Sequence, residues 1–528
     1  MYLYSNCKGG AQENGTDGWQ DDRDNRHLSR LRSQPPSLEL DTTMIFPDSK
    51  LYIDGVLRPA TGDISFDNIS PWTGETVGRA ADATAEDMDA AIAAARRAFD
   101  ETDWSTNRAI RRDLVHTFGL ALKANRHRLA EIARHEVGAA PGAISSIQVD
   151  GPLGFLDPLF ALFDKIEWET PMGDASGFGM TSRRLLVKEP AGVVGAITPW
   201  NVPLYITVGK VVPALLAGCT VVLKPAPDTP LMAAILGELA AEVGFPPGVL
   251  NVVTGSEPAL LGEMLVTDPR VDLISFTGST SVGRRIMEKA APTLKRLFLE
   301  LGGKSAGIVF ADAPDFAQAV ARSIVCFHAG QGCAMITRLL VERSRYDEAV
   351  TVLSAAYAGY ATRWGDPDDL ANVMGPVISS RQRDRVMGYI EQGIAEGARL
   401  IAGGKVRPGS GFFVEPTCFV DVSNAMTIAR EEIFGPVLVV MPFDDEDDAV
   451  RIANDSQFGL SGSVRTGDPE RAMRVARRLR TGSVGINGGM PIAVDLPFGG
   501  YKQSGIGKEW GIEGFEEYLE TKSIALPA

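Results

Sequence analysis

Residues 192–224 read GVVGAITPWNVPLYITVGKVVPALLAGCTVVLK. Two short apolar runs, Val193–Ile197 and Thr220–Leu223, enclose a segment of helical length. Further apolar runs follow at Leu250–Val253 and Leu273–Phe276, again with helical stretches between them. Strands that alternate with helices are typical of a parallel sheet covered by helices on both faces, so the sequence predicts an α/β fold.

A second series of the same kind begins at Ala306–Phe310 and includes Arg338–Glu342 and a helix from Tyr346. Two such series predict two domains, with the active site in the cleft between them. Before both series, residues 50–60 (KLYIDGVLRPA) are predicted as a first strand. Residues 84–87 (TAED) have the pattern of a capping box that opens a helix.

The composition is that of a globular protein with an acidic net charge. Of the 528 residues, 45% are hydrophobic, and the formal net charge is −15. An acidic chain repels phosphate backbones and anionic lipid surfaces, so neither nucleic acid nor a membrane is expected as a partner. Residues 191–209 carry no charge, but Pro199, Asn201 and Pro203 interrupt them, and we predict no membrane span there.

The N-terminal segment and the cysteines indicate the cellular setting. Residues 1–43 are polar, without a hydrophobic period or the apolar stretch of a signal peptide, and are predicted to be a disordered extension. We favour a dispensable tail or an over-long gene start over a targeting element. The five cysteines form no CxxC and no Cys/His cluster, which favours a reducing cytoplasm and gives no support to a metal site. The acidic run Asp444–Asp448 is better interpreted as the start of a helix near Ala449 than as a metal or protein site.

Two glycine-rich segments carry candidate chemistry. Gly278–Gly283 (GSTSVG) opens a helix, and glycines there let a diphosphate approach the helix N-terminus. Its GxxxxG spacing matches neither the Rossmann fingerprint nor a P-loop, so a plain strand-to-helix turn is an equal interpretation. Cys333 follows Gly330–Gly332, a turn that would place an accessible sulfur beside its own N–H, as a nucleophile with an oxyanion donor requires. A buried, inert cysteine is the alternative.

Glu300 and Asn201 are the polar candidates. Glu300 lies between two leucines, and burial would raise the pKa of its carboxyl towards the range of a general base. The alternative is a strand-end residue that pairs with Lys304. Asn201 lies between two prolines, so its amide could stabilise an oxyanion or, alternatively, bond to its own backbone in a turn.

Seven motifs occur in one order along the chain: PWN from 199, KPAP from 224, FTGST-x-VG from 276, ELGGKS from 300, GQ-x-C from 330, EEIFGPV from 431 and PFGGYKQSG from 497. The series resembles the NAD(P)-dependent aldehyde dehydrogenase superfamily from about residue 50 to the C-terminus. The resemblance implies oxidation of a small-molecule aldehyde to its acid with NAD, with NADP as a second coenzyme to be tested.

The resemblance also implies roles for residues at matching positions. Cys333 would be the nucleophile that forms a thioester, Glu300 the base that activates water, Asn201 an oxyanion donor and Lys210 a support for Glu300. The residues implied to bind the coenzyme are Lys224, Thr198, Pro199, Trp200, Gly278, Ser279, Gly283, Glu432, Phe434 and Gln382. Those implied to line the substrate pocket are Val202, Gly209 and Phe498, and no metal ligand is implied.

Three departures from the family's pattern bear on specificity. His328 stands where asparagine is usual, five residues before the nucleophile. Pro227 replaces a glutamate that often follows the ribose lysine, which puts the preference for NAD over NADP in doubt. Val202 and Gly209 replace residues that are often aromatic, so we predict a tunnel for bulky or aromatic aldehydes.

Other activities fit only part of the pattern. Transfer of the acyl group to coenzyme A is disfavoured because Glu300 is present. A thiol hydrolase without redox chemistry would need no coenzyme motifs, and a non-catalytic protein would need neither Cys333 nor Asn201.

The resemblance finally implies an architecture. A Rossmann-like coenzyme-binding domain would comprise residues 44–171 and 191–302, and a catalytic domain residues 303–503. A small β arm for oligomerisation would comprise residues 172–190 and 519–528. Arms of this kind form homodimers or homotetramers, between which the sequence does not choose.

Overall fold

A computed structural model of the protein describes residues 46–528. They form two large, mainly parallel sheets of eight and seven strands, together with antiparallel sheets of three and two strands. The predicted α/β fold with two parallel-sheet units and a small β element is therefore confirmed. Residues 1–43, predicted to be a disordered extension, lie outside the described part of the chain.

The first sheet has a parallel centre that is buried on both faces. Across the sheet its strands are Gly505–Ile506, Arg296–Glu300, Leu273–Thr277, Val193–Ile197, Thr220–Lys224, Leu250–Val252, Leu51–Ile53 and Val56–Arg58. Only the strand Gly505–Ile506 at one edge and the two N-terminal strands at the other pair antiparallel. Val194 and Val221 pack into the core on one face, and their neighbours Val193 and Val222 pack on the other. Burial on both faces explains why these strands read as continuous apolar runs.

Residues 50–60 form a hairpin, so the prediction of a single strand there was wrong. Leu51–Ile53 and Val56–Arg58 pair antiparallel around Asp54 and Gly55, whose φ angles are 54° and 79°. Left-handed conformations at both central residues define the tight turn that Asp-Gly favours. The dipeptide was therefore a hairpin signal in the sequence.

The second sheet begins immediately after Glu300. Across it the strands are Arg399–Ala402, Thr417–Val420, Val437–Phe443, Ile336–Glu342, Ser305–Val309, Ser461–Arg465 and Ser483–Ile486, all parallel except the first pair. The chain crosses from the first sheet to the second between Glu300 and Ser305. Glu300 therefore ends a strand of one sheet, while Cys333 precedes a strand of the other.

The described chain contains α-helices at Ala85–Glu101, Arg108–Ala124, Arg126–Val137, Pro141–Ala143, Asp150–Gly154, Leu156–Phe163, Pro203–Ala217, Pro230–Val243, Pro258–Thr267, Thr280–Ala290, Phe316–Ala321, Tyr346–Tyr360, Ser380–Ala395, Thr427–Arg430, Glu446–Asn454, Pro469–Arg478 and Gly511–Glu516. The capping box is confirmed, because Thr84 and Asp87 each accept a hydrogen bond from the other's main-chain N–H. The acidic run also caps a helix as predicted: Asp445 accepts from the N–H of Asp448 at the start of Glu446–Asn454.

The three-stranded sheet is antiparallel and consists of Glu169–Gly177, Met180–Pro190 and Leu519–Pro527. It unites the two segments that were predicted as an arm, and its function in oligomerisation stays a prediction. The two-stranded sheet pairs Ser65–Ile69 with Thr76–Ala81. Within residues 46–528, no helix has both the length and the apolar character needed to cross a membrane.

Candidate active site

Glu300 is a buried carboxyl at the end of its strand. Its side chain is 3% exposed, and neither carboxylate oxygen has a hydrogen-bond partner among the described residues. A Cβ on Gly499 would lie 2.7 Å from Glu300 Oε1, so glycine at 499 leaves the room that this side chain uses. Burial raises the pKa of Glu300 well above its usual value, and the charge of Glu509 raises it further. An unpartnered carboxyl with a raised pKa suits a general base better than the alternative ion pair with Lys304.

Lys210, predicted to support Glu300, forms its ion pair with another carboxylate. Its Nζ lies 2.7 Å from Glu509 Oε1 and 3.0 Å from Ser275 Oγ, in a buried cluster. Lys210 still acts on Glu300 through space, because its positive charge lowers the pKa of that carboxyl. Sequence reasoning missed Glu509, which lies 299 residues after Lys210 in a stretch without a spacing signal.

The turn before Cys333 has an unusual backbone. His328, Ala329 and Gly330 adopt φ angles of 49°, 50° and 72°, three successive left-handed residues. Such conformations cost of order 1–3 kcal/mol for a non-glycine residue and collect at functional sites. At Gly330 the chain also runs so close to the carbonyl of Gly435 that a Cβ would clash. Cys333, which follows this turn, is partly exposed, whereas Cys219, Cys326 and Cys418 are buried.

The electrostatic surroundings of Cys333 oppose its ionisation. Although Cys333 is partly accessible, protein atoms surround its thiol, and this burial raises the pKa of the thiol to about 12. The charges of Glu432, Glu300 and Glu509 add to this effect, while the N–H of Ala334 opposes it. The main chain also brings the two segments together, since a Cβ on Gly303, three residues after Glu300, would clash with the carbonyl oxygen of Cys333. A thiolate is the nucleophile in such chemistry, so this site needs a proton acceptor or a nearby cation to form one.

Asn201 joins the loop after Val193–Ile197 to the cysteine turn. Its side chain is 4% exposed, and its Nδ2 donates to the carbonyl of Gln331 at 2.9 Å. The bond spans 130 residues of sequence, so the alternative of a turn asparagine bonded to its own backbone is wrong. The structure thus brings Asn201 to the segment that carries Cys333.

Predicted coenzyme residues from both sheets meet at one place. The rings of Trp200 and Phe434 are perpendicular, with centroids 5.3 Å apart. The side chain of Gln382 is bonded within the protein: its Nε2 donates to the carbonyls of Ile433 and Phe434 at 3.2 and 2.8 Å. Gln382 thus supports the loop that carries Phe434. Glu432 accepts from the N–H of Gly303 at 3.0 Å, and burial raises the pKa of its carboxyl to about 7.

The other predicted coenzyme residues follow the strands of the first sheet. Lys224 ends one strand, and burial lowers the pKa of its ammonium to about 8. Thr198 donates its N–H to the carbonyl of Lys224 at 3.1 Å. Ser279 caps the helix Thr280–Ala290 and accepts from the N–H of Val282 at 3.4 Å. A lysine and a helix N-terminus on one sheet edge suit ribose hydroxyls and a diphosphate.

The two glycines around Ser279 also have a packing reason. A Cβ on Gly278 would clash with the ring of Phe276, and one on Gly283 would lie 2.6 Å from Leu301. Glycine at 283 therefore lets the helix lie close to Leu301, and glycine at 278 leaves room for the ring of Phe276. The sequence prediction had explained these glycines by the approach of a diphosphate alone.

The predicted substrate residues form a tighter wall than expected. Val202 is buried, and Phe498 exchanges two main-chain hydrogen bonds of 2.6 Å with Glu509. The space beside Gly209 is occupied by Trp510, which is 4% exposed, so Gly209 does not widen the tunnel as predicted. Sequence reasoning missed Trp510, because nothing in the chain pattern links it to Gly209.

No group of three or more His, Cys, Asp or Glu side chains that could hold a metal ion occurs in the described part of the protein.

Comparison with known proteins defines the class of this site. Residues 58–524 match the aldehyde dehydrogenase family, and the chain belongs to that family, as the seven motifs predicted. It is 44% identical to 3-succinoylsemialdehyde-pyridine dehydrogenase from Pseudomonas sp over 90% of this chain and 98% of the relative. It is 42% identical to geranial dehydrogenase from Castellaniella defragrans, over 86% and 94% of the two chains.

Solved structures agree with this assignment. An aldehyde dehydrogenase from Mycobacterium tuberculosis in complex with NAD+ is similar with a TM-score of 0.87 and 44% identity, over 92% of this chain and 99% of that chain. A mutant of aldehyde dehydrogenase C from Pseudomonas syringae, in complex with NAD+ and octanal, has a TM-score of 0.85 and 40% identity, over 91% and 97%.

Proposed function

We propose that this protein oxidises an aldehyde to its carboxylic acid with NAD, through a thioester on Cys333. The observation that carries the proposal is the meeting of three groups at the boundary of the two sheets. They are the partly exposed Cys333, the Asn201 amide bonded to the same turn, and the buried, unpartnered Glu300. The two relatives named above are called dehydrogenases of a semialdehyde and of geranial.

In the proposed reaction the Cys333 thiol first loses its proton to solvent, and its sulfur then bonds to the aldehyde carbon. The carbonyl oxygen becomes an oxyanion, which the Asn201 amide and the Cys333 N–H stabilise. NAD held by Lys224, Ser279 and Glu432 would supply the two-electron oxidant, because its nicotinamide can take up the hydride of the former aldehyde carbon. The carbon, oxidised by two electrons, remains on Cys333 as a thioester. Glu300 then takes a proton from water, the hydroxyl adds to the thioester, and the acid leaves as the thiol is restored.

The coenzyme proposal rests on the donors that surround the two rings. Glu432 offers a carboxylate for ribose hydroxyls, and Lys224 offers an ammonium. Pro227 lies in the half-buried loop just after Lys224 and supplies no carboxylate against a 2′-phosphate. We therefore propose NAD as the coenzyme, with NADP also accepted.

For the substrate we propose a bulky apolar or aromatic aldehyde. Phe155, Tyr205 and Trp510 form a cluster of three perpendicular ring contacts with centroids 5.4–5.5 Å apart, and Phe498 packs against the same core. Burial raises the pKa of Tyr205, and the charges of Glu509 and Cys333 add to this effect, which supports a position of the cluster close to the proposed nucleophile. Apolar walls gain about 0.8 kcal/mol for each buried methylene of a substrate.

We also propose that the protein is a cytoplasmic homodimer or homotetramer. The three-stranded sheet carries exposed apolar side chains at Met172, Phe178, Met180 and Leu526. A second copy of the chain would cover this surface, since large exposed apolar patches mark association sites.

The experiment is a measurement of NADH formation with acetaldehyde, octanal, geranial and benzaldehyde, each with NAD and with NADP. We expect turnover of the larger aldehydes and loss of more than about 99% of it in Cys333→Ala, because loss of the nucleophile costs more than about 3 kcal/mol. Cys219→Ala, which changes a buried cysteine bonded to the Tyr518 carbonyl, is the matched control and should keep the activity. Absence of NADH with every aldehyde, or an active Cys333→Ala, would overturn the proposal. A highest kcat/KM for acetaldehyde would contradict the substrate class.

A further inference from the structure

A buried polar chain connects Asn201 to the cysteine turn by a second route. Gln148 Nε2 donates to the main-chain carbonyl of Asn201 at 2.8 Å and lies 3.4 Å from His328 Nε2. The side chain of Asn201 donates to Gln331 O at 2.9 Å, and Gln331 donates its N–H to His328 O at 3.0 Å. The four residues therefore close a ring of hydrogen bonds, in which both the main chain and the side chain of Asn201 take part.

The Asn201 carbonyl determines which side-chain atoms of this hydrogen-bonded ring donate and which accept. An atom 2.8 Å from a carbonyl oxygen must be a donor, so the Gln148 amide presents its NH₂ group to Asn201. The second N–H of that group can donate to His328 Nε2, 3.4 Å away, when the ring is neutral and carries its proton on Nδ1. Burial favours the neutral ring, because it lowers the pKa of His328 to about 4, while the neighbouring carbonyl of Asn201 opposes this shift.

Three features at this place are unfavourable on their own. The other amide atom of Gln148, Oε1, is buried without a partner among the described residues. His328 has a left-handed backbone, and Gln148 ends the π-helical turn Ile144–Gln148. Single π-helical turns and left-handed non-glycine residues recur at functional sites, where the surrounding structure maintains them. All three unfavourable features lie around the carbonyl of Asn201. We infer that they are maintained because they fix the position of Asn201.

We propose that Gln148 and His328 are positioning residues for the oxyanion-binding amide. They hold the main chain of Asn201, so that its side chain can exchange the Gln331 carbonyl for the oxyanion of the substrate without movement of the peptide. This inference rests on the proposed function, in which Asn201 stabilises the oxyanion. It also gives a physical reason for His328 at a position where the sequence departs from the usual asparagine: the longer side chain provides the acceptor that Gln148 needs.

The test compares Gln148→Met, which keeps the length of the side chain but removes both N–H donors, with the parent enzyme. We expect kcat at saturating NAD to fall on the order of 10- to 100-fold, because a misplacement of about 1 Å has effects of this size. The dissociation constant of NAD, measured by fluorescence, should change by less than about twofold. The rate of Cys333 alkylation by iodoacetamide, followed by peptide mass spectrometry, should change by less than about threefold, since alkylation develops no oxyanion.

Two variants at His328, one double variant and a control separate positioning from a general loss of structure. His328→Leu should lower kcat as Gln148→Met does, whereas His328→Gln, whose side-chain oxygen can accept the same N–H, should restore most of it. The double variant Gln148→Met with His328→Leu should show no additional loss, because both members act through one contact. Ser145→Ala, on the exposed side of the same π-helical turn, is the control and should match the parent.

The outcomes are distinct. Parent-like kcat in Gln148→Met, or independent losses in the double variant, would overturn the inference. Equal losses of kcat and of the alkylation rate would also overturn it, because the defect would then lie at Cys333. A failure of the proposed function has another signature: the parent itself would form no NADH, or Asn201→Ala would turn over aldehyde like the parent.

Discussion

The indole ring of Trp510 fills the space beside Gly209, where a Cβ would lie 2.7 Å from Trp510 Cζ2. Trp510 also has a φ angle of 62°, a strained conformation for so large a residue. Its neighbour Glu509 bonds to Lys210, the neighbour of Gly209. The two pairs join the helix Pro203–Ala217 to the C-terminal segment, so the missing side chain at 209 is compensated by a large one at 510.

Gly209→Ala should therefore destabilise the protein. We expect a loss of about 1–3 kcal/mol in the free energy of unfolding, because the added methyl group overpacks a filled site. Urea unfolding measures this change. Trp510→Phe removes the outer part of the indole and should recover part of the loss in the double variant. A Gly209→Ala protein as stable as the parent would show that the indole ring moves aside without cost.

Glu300→Gln should separate the two halves of the reaction. Gln cannot take a proton from water, so the thioester should form and then persist on Cys333. A rapid kinetic measurement should show one turnover of NADH formation followed by a stall, and mass spectrometry should find Cys333 acylated. Normal steady-state turnover in this variant would assign the activation of water to another group.

The neutral His328 should make stability depend on pH. The pKa of His328 is lowered from 6.5 to about 4 in the folded protein, so the unfolded chain binds a proton there first as the pH falls. His328 consequently lowers the free energy of unfolding progressively from about pH 6.5 to about pH 4, by about 1.4 kcal/mol per pH unit at most. The measurement is urea unfolding at pH 7.5 and pH 5 for the parent and for His328→Asn. The variant should lose less stability between the two pH values; an equal loss would place the titrating group elsewhere.

Pro227→Glu should increase the preference for NAD over NADP. A glutamate there can accept from the ribose hydroxyls and repel a 2′-phosphate, and two like charges ~5 Å apart at an effective dielectric of ~20 cost roughly 3 kcal/mol. The quantity to measure is the ratio of kcat/KM for the two coenzymes in parent and variant. In the parent we expect the ratio to lie within about 100-fold. An unchanged ratio in the variant would mean that another residue sets the preference.

Sequence reasoning succeeded where the information is local. The apolar strands at Val193–Ile197 and Thr220–Lys224, the capping box at Thr84 and the ordered motifs all lie within short windows of the chain. It failed at Asp54-Gly55, although this dipeptide is itself a local hairpin signal.

The remaining failures have another cause. Gln148 meets Asn201 across 53 residues and His328 across 180, and Lys210 meets Glu509 across 299. Such partners become neighbours only when the sheets assemble, so no spacing rule predicts them. The contact of Trp510 with Gly209 is equally unpredictable from spacing. A glycine at 209 predicts free space in the sequence, whereas in the fold the indole ring of Trp510 occupies that space.

The edge strand Gly505–Ile506 pairs with the strand that ends in Glu300. During synthesis the first sheet can therefore be completed only after this late segment has been added. Glu509, in the same segment, leaves the ribosome 299 residues after its partner Lys210. At roughly 5–20 residues per second, this delay amounts to about 15–60 s. During that time the first sheet lacks an edge, and the ammonium of Lys210 lacks its carboxylate partner. A nascent chain with Cys333 already emerged would still lack Glu509, whose charge acts on the Glu300 carboxyl, so the surroundings of Glu300 stay incomplete until residue 509 has been added.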